Sequence, residues 1–178
     1  MATAGLTGIL LVGGASRRFG SPKALATFEG ETLAERAWRT LGEVTSHRIA
    51  VGKPGELDLP FEVRADGTTV RAALAGIVAG LREARHDLAI VLPVDTPLVR
   101  SVDLLALAYA CADCAQPQTG PLPCALRRRT LPSLERSLAT GELALRDAFA
   151  DLDTRVVKLD PARLENVNTP RDLVALPR

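Results

Sequence analysis

Aromatic side chains are scarce in this sequence: Phe, Trp and Tyr together make up only 3% of its 178 residues. The hydrophobic core must therefore be built from Leu, Val, Ile and Ala, although the overall hydrophobic fraction of 47% is ordinary for a globular protein. A chain of this length can bury one substantial core. We therefore expect a single domain that spans residues 1–178.

The sequence also lacks an excess of positive or negative charge. The sequence has 22 Lys and Arg against 21 Asp and Glu, a formal net charge of +1 that argues against a broad nucleic-acid-binding surface. It contains no run of twenty apolar residues, so it predicts no membrane span. The N-terminal apolar stretch is interrupted by glycines and has no basic region before it, which favours a strand over a signal peptide. We expect a cytoplasmic protein that binds neither nucleic acid nor membrane.

Cysteine is nearly absent, with Cys111, Cys114 and Cys124 as the only three. An odd number without a signal peptide argues against a disulfide framework. Cys111 and Cys114 have C-x-x-C spacing, but a zinc site would need further ligands, and both histidines, His47 and His86, are distant in sequence. We expect Cys111 and Cys114 to be helix-end residues without a metal or catalytic role.

The most informative stretch is GILLVGGASRRFGSPK, residues 8–23. It starts as an apolar run typical of a buried strand and turns into a glycine-rich loop. Gly13 and Gly14 carry no Cβ, so their backbone N–H groups can approach a ligand closely. The loop also contains three cations, Arg17, Arg18 and Lys23. Backbone N–H groups combined with Arg and Lys side chains predict a site for phosphate oxygens.

Neither of the two common phosphate-binding motifs fits this loop. A P-loop has the spacing G-x-x-x-x-G-K-[ST], whereas Gly14 and Gly20 are one residue too far apart and Ser21-Pro22 precedes Lys23. The G-x-G-x-x-G dinucleotide spacing is absent. The remaining hypothesis is a longer loop that wraps a polyphosphate. The alternative is an ordinary surface turn with solvated charges.

Strands and helices alternate through the first half of the chain. Hydrophobic periodicity predicts strands at 8–12, 48–51, 61–64 and 87–95, and helices at 32–41, 70–85 and 101–113. The second half predicts a loop and a strand near a sheet edge within 116–126, helices at 130–140 and 142–151, a strand at 154–159 and a last helix opened by Thr169-Pro170. We predict the α/β class, with a single-domain, mainly parallel, Rossmann-like sheet and helices on both faces.

Asp95 ends a wholly apolar predicted strand, where a carboxylate is costly without a partner. Ligands of parallel sheets bind beyond the carboxyl ends of the strands, so Asp95 and the glycine loop can meet in one crevice. A carboxylate that faces a triphosphate is a suitable ligand for Mg²⁺. The alternative is a turn or N-cap aspartate ahead of Thr96-Pro97.

The glycine loop resembles the signature of the molybdenum cofactor guanylyltransferases, which are MobA-like nucleotidyltransferases. Their pattern is roughly L-A-G-G-x-x-x-R-M-G-x-x-K, and here Val12 replaces the alanine and Phe19 the methionine. The wider superfamily of sugar-phosphate nucleotidyltransferases shares this loop. The resemblance implies a nucleotidyltransferase-type fold and a nucleotide-binding set comprising Leu11, Val12, Gly13, Gly14, Arg17, Arg18, Lys23, Asp66 and Asp95.

Three further segments resemble the same family. Asp66 matches an aspartate that precedes a G-P-L-A-G segment, which is Ala73-Leu74-Ala75-Gly76 here, while the family asparagine near Gly52-Lys53 is missing. Asp95-Thr96-Pro97 matches a D-x-P whose aspartate binds the metal. Residues 166–170, NVNTP, match N-x-N-T-P, and we expect one asparagine to face the ligand and the other to pack inward. The alternatives are an Asp-Gly turn at Asp66 and two turn asparagines before a helix.

The resemblance implies transfer of GMP from GTP to molybdopterin with release of pyrophosphate. Arg18, Lys23 and Asp95 would be catalytic, and Asp95 with Asn168 would hold Mg²⁺. The nucleotide-binding half would span about 1–100 and the acceptor-binding half about 101–178, where 120–126 resembles the strand beside the pterin. Transient contacts with other cofactor-biosynthesis proteins or molybdoenzymes would also be expected.

Three alternatives to this function stay open at the level of the sequence. The first is the same reaction with CTP, which would give a cytidylated cofactor. The second is nucleotidyl transfer to another phosphorylated acceptor, such as a sugar phosphate or phospholactate. The third, from a different class, is a non-catalytic nucleotide-binding partner of molybdoenzymes.

Overall fold

Strand β1 (Thr3–Leu11) lies at the centre of the architecture and pairs in parallel with a strand on each side. The structure is a computed structural model, and it describes residues 3–13, 19, 22–53 and 57–177. The other strands are β2 (Thr27–Phe28), β3 (Glu31–Thr32), β4 (Thr45–Gly52), β5 (Val63–Ala65), β6 (Leu88–Pro93), β7 (Cys114–Pro117), β8 (Cys124–Arg127) and β9 (Thr154–Val157). Strand β1 and six of these strands form one sheet in the order β5-β4-β1-β6-β8-β7-β9, whereas β2 and β3 pair separately.

The sheet is mainly parallel, as predicted. Strands β5, β4, β1 and β6 are parallel neighbours, and β7 pairs in parallel with β9. Only β8 runs antiparallel, to both β6 and β7. The helices are α1 (Leu33–Gly42), α2 (Ala73–Glu83), α3 (Ser101–Ala110), α4 (Leu131–Thr140), α5 (Leu145–Ala148) and α6 (Pro170–Ala175).

Helices cover both faces of the sheet, which the sequence also predicted. Along β1, Leu6 and Leu10 face one core together with α1 and α3, whereas Ile9 and Leu11 face the other together with α2 and α4. These four side chains are at most 5% exposed. Burial of each such side chain stabilises the fold by about 1.5–3 kcal/mol relative to an exposed position. The alternation along β1 therefore fixes which element lies on which face.

Local sequence signals set the ends of several helices. At α1, the Thr32 side chain accepts a hydrogen bond from Glu35 N–H, and the Glu35 carboxylate accepts one from Thr32 N–H, which is a capping box. Thr169 caps α6 in the same way, with Pro170 in the first turn. Both helix starts agree with the prediction.

The second half of the chain departs from the prediction in three places. The strand expected near a sheet edge is β8, and it lies inside the sheet between β6 and β7, with Cys124, Ala125 and Leu126 fully buried. The predicted helix 142–151 is only the short α5. The predicted helix 101–113 ends at Ala110, so Cys111 is a helix-end residue as expected, whereas Cys114 begins β7.

In the parts of the chain that the structure describes, no helix is both long enough and apolar enough to cross a membrane.

Candidate active site

The carboxyl ends of β1, β4 and β6 meet at one edge of the sheet, and hydrogen bonds continue beyond the strands there. Val12 N–H donates to Val51 O at 3.0 Å, and Val94 N–H donates to Leu11 O at 3.3 Å. These bonds keep the backbone at Val12 in register with both neighbouring strands. The start of the glycine loop and the segment leading to Asp95 are therefore held side by side.

Lys23 joins two segments that are distant in the sequence. Its Nζ lies 3.5 Å from Asp95 Oδ2 and donates to Asn168 Oδ1 at 3.3 Å. The Lys23 and Asp95 side chains are 16% and 30% exposed. A partly buried ammonium group between two oxygen acceptors can hold anionic ligand groups and stabilise charge that develops on them.

The backbone around Asp95 is fixed from two directions. Val167 N–H donates to Asp95 O at 2.8 Å, which attaches the NVNTP segment to the end of β6. The Thr96 hydroxyl donates to Pro93 O at 3.3 Å, and Thr96 is only 4% exposed. These contacts limit the positions that the Asp95 carboxylate can adopt.

The two asparagines of NVNTP share one side of the segment. Asn166 and Asn168 are both exposed, and Val167 between them is fully buried. The expectation that one asparagine packs inward is therefore wrong, because side chains two positions apart in an extended segment point the same way. It is the valine that anchors this segment to the core.

Asp172 fixes the backbone at Asn168. Its Oδ2 accepts hydrogen bonds from Asn168 N–H and Thr169 N–H, both at 2.8 Å. The Asn168 hydrogen bond, followed by those from Thr169, lowers the pKa of Asp172 from its usual value of 3.8. The carboxylate is therefore ionised at neutral pH and keeps the Asn168 amide beside Lys23.

A cleft of about 420 Å³ opens at this edge of the sheet. Its volume is within the range of small-molecule sites. Both halves of the chain line it: Leu11, Val12, Gly13, Lys23, Ala73, Pro93, Val94, Asp95, Thr119, Gly120, Pro121, Leu122, Leu164 and Asn166. Sequence reasoning identified Leu11, Val12, Gly13, Lys23 and Asp95 among these residues.

Sequence reasoning did not single out several of the residues that line the cleft. Thr119 and Leu164 gave no sequence signal, because nothing in their local pattern marks them as facing a ligand. Asn166 belongs to a segment that was recognised, and residues 120–122 begin the stretch compared with a strand beside a pterin. The structure places both stretches at the cleft.

Asp66 and Lys53 form a second cluster at the same sheet edge. Lys53 Nζ donates to Asp66 Oδ1 at 2.7 Å and to Oδ2 at 2.9 Å, and also to Thr68 O. Thr68 N–H donates to Asp66 Oδ1 at 3.1 Å. Asp66 is not among the residues that line the cleft. The structure thus places Lys53, which was noted only for standing near a missing asparagine, as the partner of Asp66.

A family model for the MobA-like NTP transferase domain matches residues 8–156 of this chain. This segment includes the C-terminal part of β1, Lys23, Asp66, Asp95 and the residues 119–122 at the cleft. The chain belongs to this family.

Full-length relatives agree with this assignment. The chain is 32% identical over 188 residues to a probable molybdenum cofactor guanylyltransferase of Bacillus subtilis (strain 168), with 94% of this chain and 92% of the relative covered. It is 34% identical over 200 residues to the molybdenum cofactor guanylyltransferase of Burkholderia vietnamiensis, with 99% and 97% covered.

The fold is similar to that of a solved protein. The structure superposes with a TM-score of 0.79 on molybdopterin-guanine dinucleotide biosynthesis protein A from Archaeoglobus fulgidus, with 96% of each chain covered. Sequence identity in that comparison is 22%, so the likeness concerns the fold alone.

Within this MobA-like domain, part of the predicted phosphate site lies outside the described residues. This applies to Gly14, Arg17 and Arg18, so their assignment to nucleotide binding, and that of Arg18 to catalysis, stays a prediction. Four described residues of the same motif, Leu11, Val12, Gly13 and Lys23, all line the cleft.

The oxygen atoms beside Lys23 suit a hard cation. Asp95 provides a carboxylate and Asn168 an amide oxygen, and both approach the same ammonium group. Mg²⁺ uses one or two such protein ligands and completes its coordination with water and substrate phosphates. Among residues 3–13, 19, 22–53 and 57–177, no group of three or more His, Cys, Asp and Glu could hold a metal. The Asp95 and Asn168 oxygens are of the kind that Mg²⁺ binds, and magnesium binding at this site stays a prediction.

The three cysteines of this MobA-like domain lie away from the cleft. Cys111, Cys114 and Cys124 are buried and free. Burial raises the pKa of Cys111 to about 11 and raises that of the fully buried Cys124. These shifts favour the protonated thiol of Cys111 and Cys124 at neutral pH, whereas the hydrogen bond with Cys124 lowers the pKa of Cys114.

Proposed function

We propose that this protein is a molybdenum cofactor guanylyltransferase, which transfers GMP from GTP to the terminal phosphate of molybdopterin. The relatives described above carry that name, and they align with nearly the whole chain. The observation that carries the proposal is the convergence of Asp95 and Asn168 on Lys23, which lines the cleft.

In this reaction an oxygen of the molybdopterin phosphate attacks the α-phosphorus of GTP. The new P–O bond forms as the bond between the α-phosphorus and its bridging oxygen breaks, and pyrophosphate leaves with the electron pair. The attacking phosphate is already anionic, so the enzyme needs no protein nucleophile or general base. Catalysis then depends on positioning and on charge neutralisation.

Lys23, Asp95, Asn168 and Gly13 have different roles in this scheme. Lys23 binds the triphosphate and stabilises the negative charge of the leaving pyrophosphate, assisted by Arg17 and Arg18. Asp95 and Asn168 would hold Mg²⁺, which would neutralise phosphate charge when bound. The backbone of Gly13 allows the triphosphate to approach closely.

The two walls of the cleft support a division between substrates. We assign Leu11–Gly13, Lys23 and Asp95 to the nucleotide, in the half spanning about residues 1–100. We assign the neutral segment 119–122, with Leu164, to molybdopterin, in the half spanning about 101–178. A phosphorylated pterin brings its own charge, and Lys23 and Asp95 line the same cleft as residues 119–122.

A cytoplasmic location and transient contacts with cofactor-biosynthesis proteins or molybdoenzymes belong to the same proposal. No nucleic acid or membrane has a part in the reaction.

The proposal is tested by pyrophosphate release from purified protein with Mg²⁺, molybdopterin and each of GTP, CTP, ATP and UTP. We expect release with GTP alone, and less release with Asp95→Asn when Mg²⁺ is limiting. Release with CTP alone would show that the protein uses CTP in place of GTP in the same type of reaction. Nucleotide binding without release of pyrophosphate in any reaction would reject this activity in favour of a binding protein or another acceptor.

A further inference from the structure

Lys53 uses all three of its N–H donors in one cluster. They go to both carboxylate oxygens of Asp66 and to the backbone oxygen of Thr68. The Lys53 and Asp66 side chains are 26% and 11% exposed. This pair is therefore largely removed from water, where a charge without its partner is costly.

The cluster joins three consecutive pieces of the site. Lys53 directly follows β4, Asp66 directly follows β5, and Thr68 begins the connection to α2. The Thr68 hydroxyl accepts a hydrogen bond from Val70 N–H at 3.0 Å, which continues the chain of contacts toward α2. The first residue of that helix, Ala73, lines the cleft.

The backbone that carries Lys53 also lies against the glycine loop. A Cβ added to Gly52 would be 2.7 Å from Val12 Cγ2 and 3.2 Å from Gly13 N. Lys53 thus extends from a point in close contact with the described start of the loop. A displacement of Lys53 would therefore be transmitted to this loop. Through Asp66 and Thr68, it would also be transmitted to Ala73 at the cleft.

The hydrogen bonds from Lys53 and Thr68 also limit how Asp66 can accept a hydrogen bond from a ligand. Its Oδ1 accepts from Lys53 and from Thr68 N–H, which uses both lone pairs. Within the described residues, Oδ2 accepts only from Lys53. A nucleotide hydroxyl or amino group that reaches Asp66 therefore finds one open acceptor position in a fixed direction.

We infer that Lys53 is a positioning residue for the nucleotide: its ammonium group clamps Asp66 and Thr68 to the end of β4 and so fixes one wall of the nucleotide site. This inference rests on the proposed function, since it takes the cleft to bind GTP. Lys53 acts through Asp66 and the 66–73 segment and takes no part in bond breaking. Its loss should weaken GTP binding much more than it slows the chemical step.

The test compares GTP binding and turnover in Lys53→Met, Lys53→Arg and Asp66→Asn with a matched control, Lys158→Met. Lys158 is exposed and lies outside the cleft, so its variant makes the same chemical change away from the site. GTP affinity is measured by calorimetry with Mg²⁺ and no acceptor. Turnover is measured at saturating GTP and molybdopterin, and thermal unfolding reports on folding.

We expect Lys53→Met to raise the GTP Kd at least about tenfold, with kcat within about threefold of the unmodified enzyme. Lys53→Arg should restore most of the affinity, because a guanidinium can also bridge the carboxylate, and Lys158→Met should bind normally. Asp66→Asn keeps the side-chain shape and should also weaken binding. If Lys53→Met does not fold, Asp66→Asn still tests whether this cluster contributes to GTP binding.

An unchanged Kd in folded Lys53→Met and Asp66→Asn would overturn the inference and leave the cluster a structural contact. Equal losses of affinity in Lys53→Met and Lys53→Arg would overturn the charge-bridging role. A different result would reject the proposed function: GTP binding by the unmodified protein without pyrophosphate release. In that case the comparison of GTP affinities would still decide the role of Lys53.

Discussion

Lys23 Nζ and Asp95 Oδ2 are 3.5 Å apart although they belong to different elements, a short 3₁₀ helix at residues 23–25 and the turn after β6. The pair lies at the cleft, and neither side chain is fully exposed. A cation and an anion so placed can each bind a ligand of opposite charge: Lys23 a phosphate and Asp95 a metal ion. The first two predictions separate these roles.

Lys23→Met should abolish most of the pyrophosphate release. The substitution keeps an unbranched side chain but removes the positive charge that faces the triphosphate, and loss of one such group typically costs about 10²- to 10³-fold in kcat. Steady-state kinetics with GTP and molybdopterin would measure it. Lys158→Met is the matched control and should retain full activity. A Lys23→Met enzyme with normal kcat would show that Lys23 is not catalytic.

Asp95→Asn should shift the dependence of activity on magnesium. The amide keeps the shape of the carboxylate but binds a hard cation less well, so we expect half-maximal activity to need at least about ten times more Mg²⁺. A titration of pyrophosphate release against Mg²⁺ measures this shift. Asp58→Asn, at an exposed position, should leave the titration unchanged. Identical titrations for Asp95→Asn and the unmodified enzyme would remove Asp95 from the metal site.

Gly52→Ala should weaken nucleotide binding through the backbone. Its new Cβ would lie 2.7 Å from Val12 Cγ2 and 3.2 Å from Gly13 N, so the start of the glycine loop must shift. We expect a loss of about 1–3 kcal/mol in the free energy of unfolding, as is typical of overpacking, and a raised GTP Kd. Chemical denaturation and calorimetry would measure the two effects.

Gly42→Ala provides the control for that experiment. Its Cβ would meet Arg48 Nη1 at 2.6 Å, and Arg48 is not among the residues that line the cleft. This variant should bind GTP normally. Equal losses of affinity in the two variants would contradict a specific effect of Gly52 on the loop.

His47 should make stability fall at acidic pH. Burial lowers its pKa from 6.5, nearby Arg85 and His86 lower it further, and Glu83 opposes them. Its Nδ1 is buried without a hydrogen-bond partner among the described residues. Below about pH 6.5 the unfolded chain binds a proton that folded His47 resists, so the free energy of unfolding decreases as pH falls.

Denaturant unfolding at pH 7.5 and pH 5.5 would measure this dependence. His47→Gln should have a smaller difference between the two pH values than the unmodified protein. Ser46→Ala, at the exposed neighbouring position on β4, should keep the original difference. An unchanged pH dependence in His47→Gln would assign the effect to other groups.

The cysteines should be unreactive until the protein unfolds. All three are buried, and burial raises the pKa of Cys111 to about 11. At pH 7.5 we expect negligible alkylation by iodoacetamide in the folded protein and modification of all three thiols in denaturant, as counted by mass spectrometry. Rapid labelling of one cysteine in the folded protein would contradict the structural role assigned to it.

The sequence by itself determined the α/β class, the parallel core of the sheet and the positions of Lys23 and Asp95. These features depend on local or short-range signals: the continuous apolar runs of β1 and β6, and charged residues where such runs end. Thr169 was also identifiable as a helix cap, because a cap is formed by neighbours in the chain.

Only the tertiary structure decided which distant residues meet. It placed β8 inside the sheet, since strand order depends on pairing between remote segments that no local pattern encodes. It turned Asn166 and Asn168 to the same side, with Val167 in the core. It also paired Asp66 with Lys53, because the two follow adjacent parallel strands whose carboxyl ends come together only when the sheet forms.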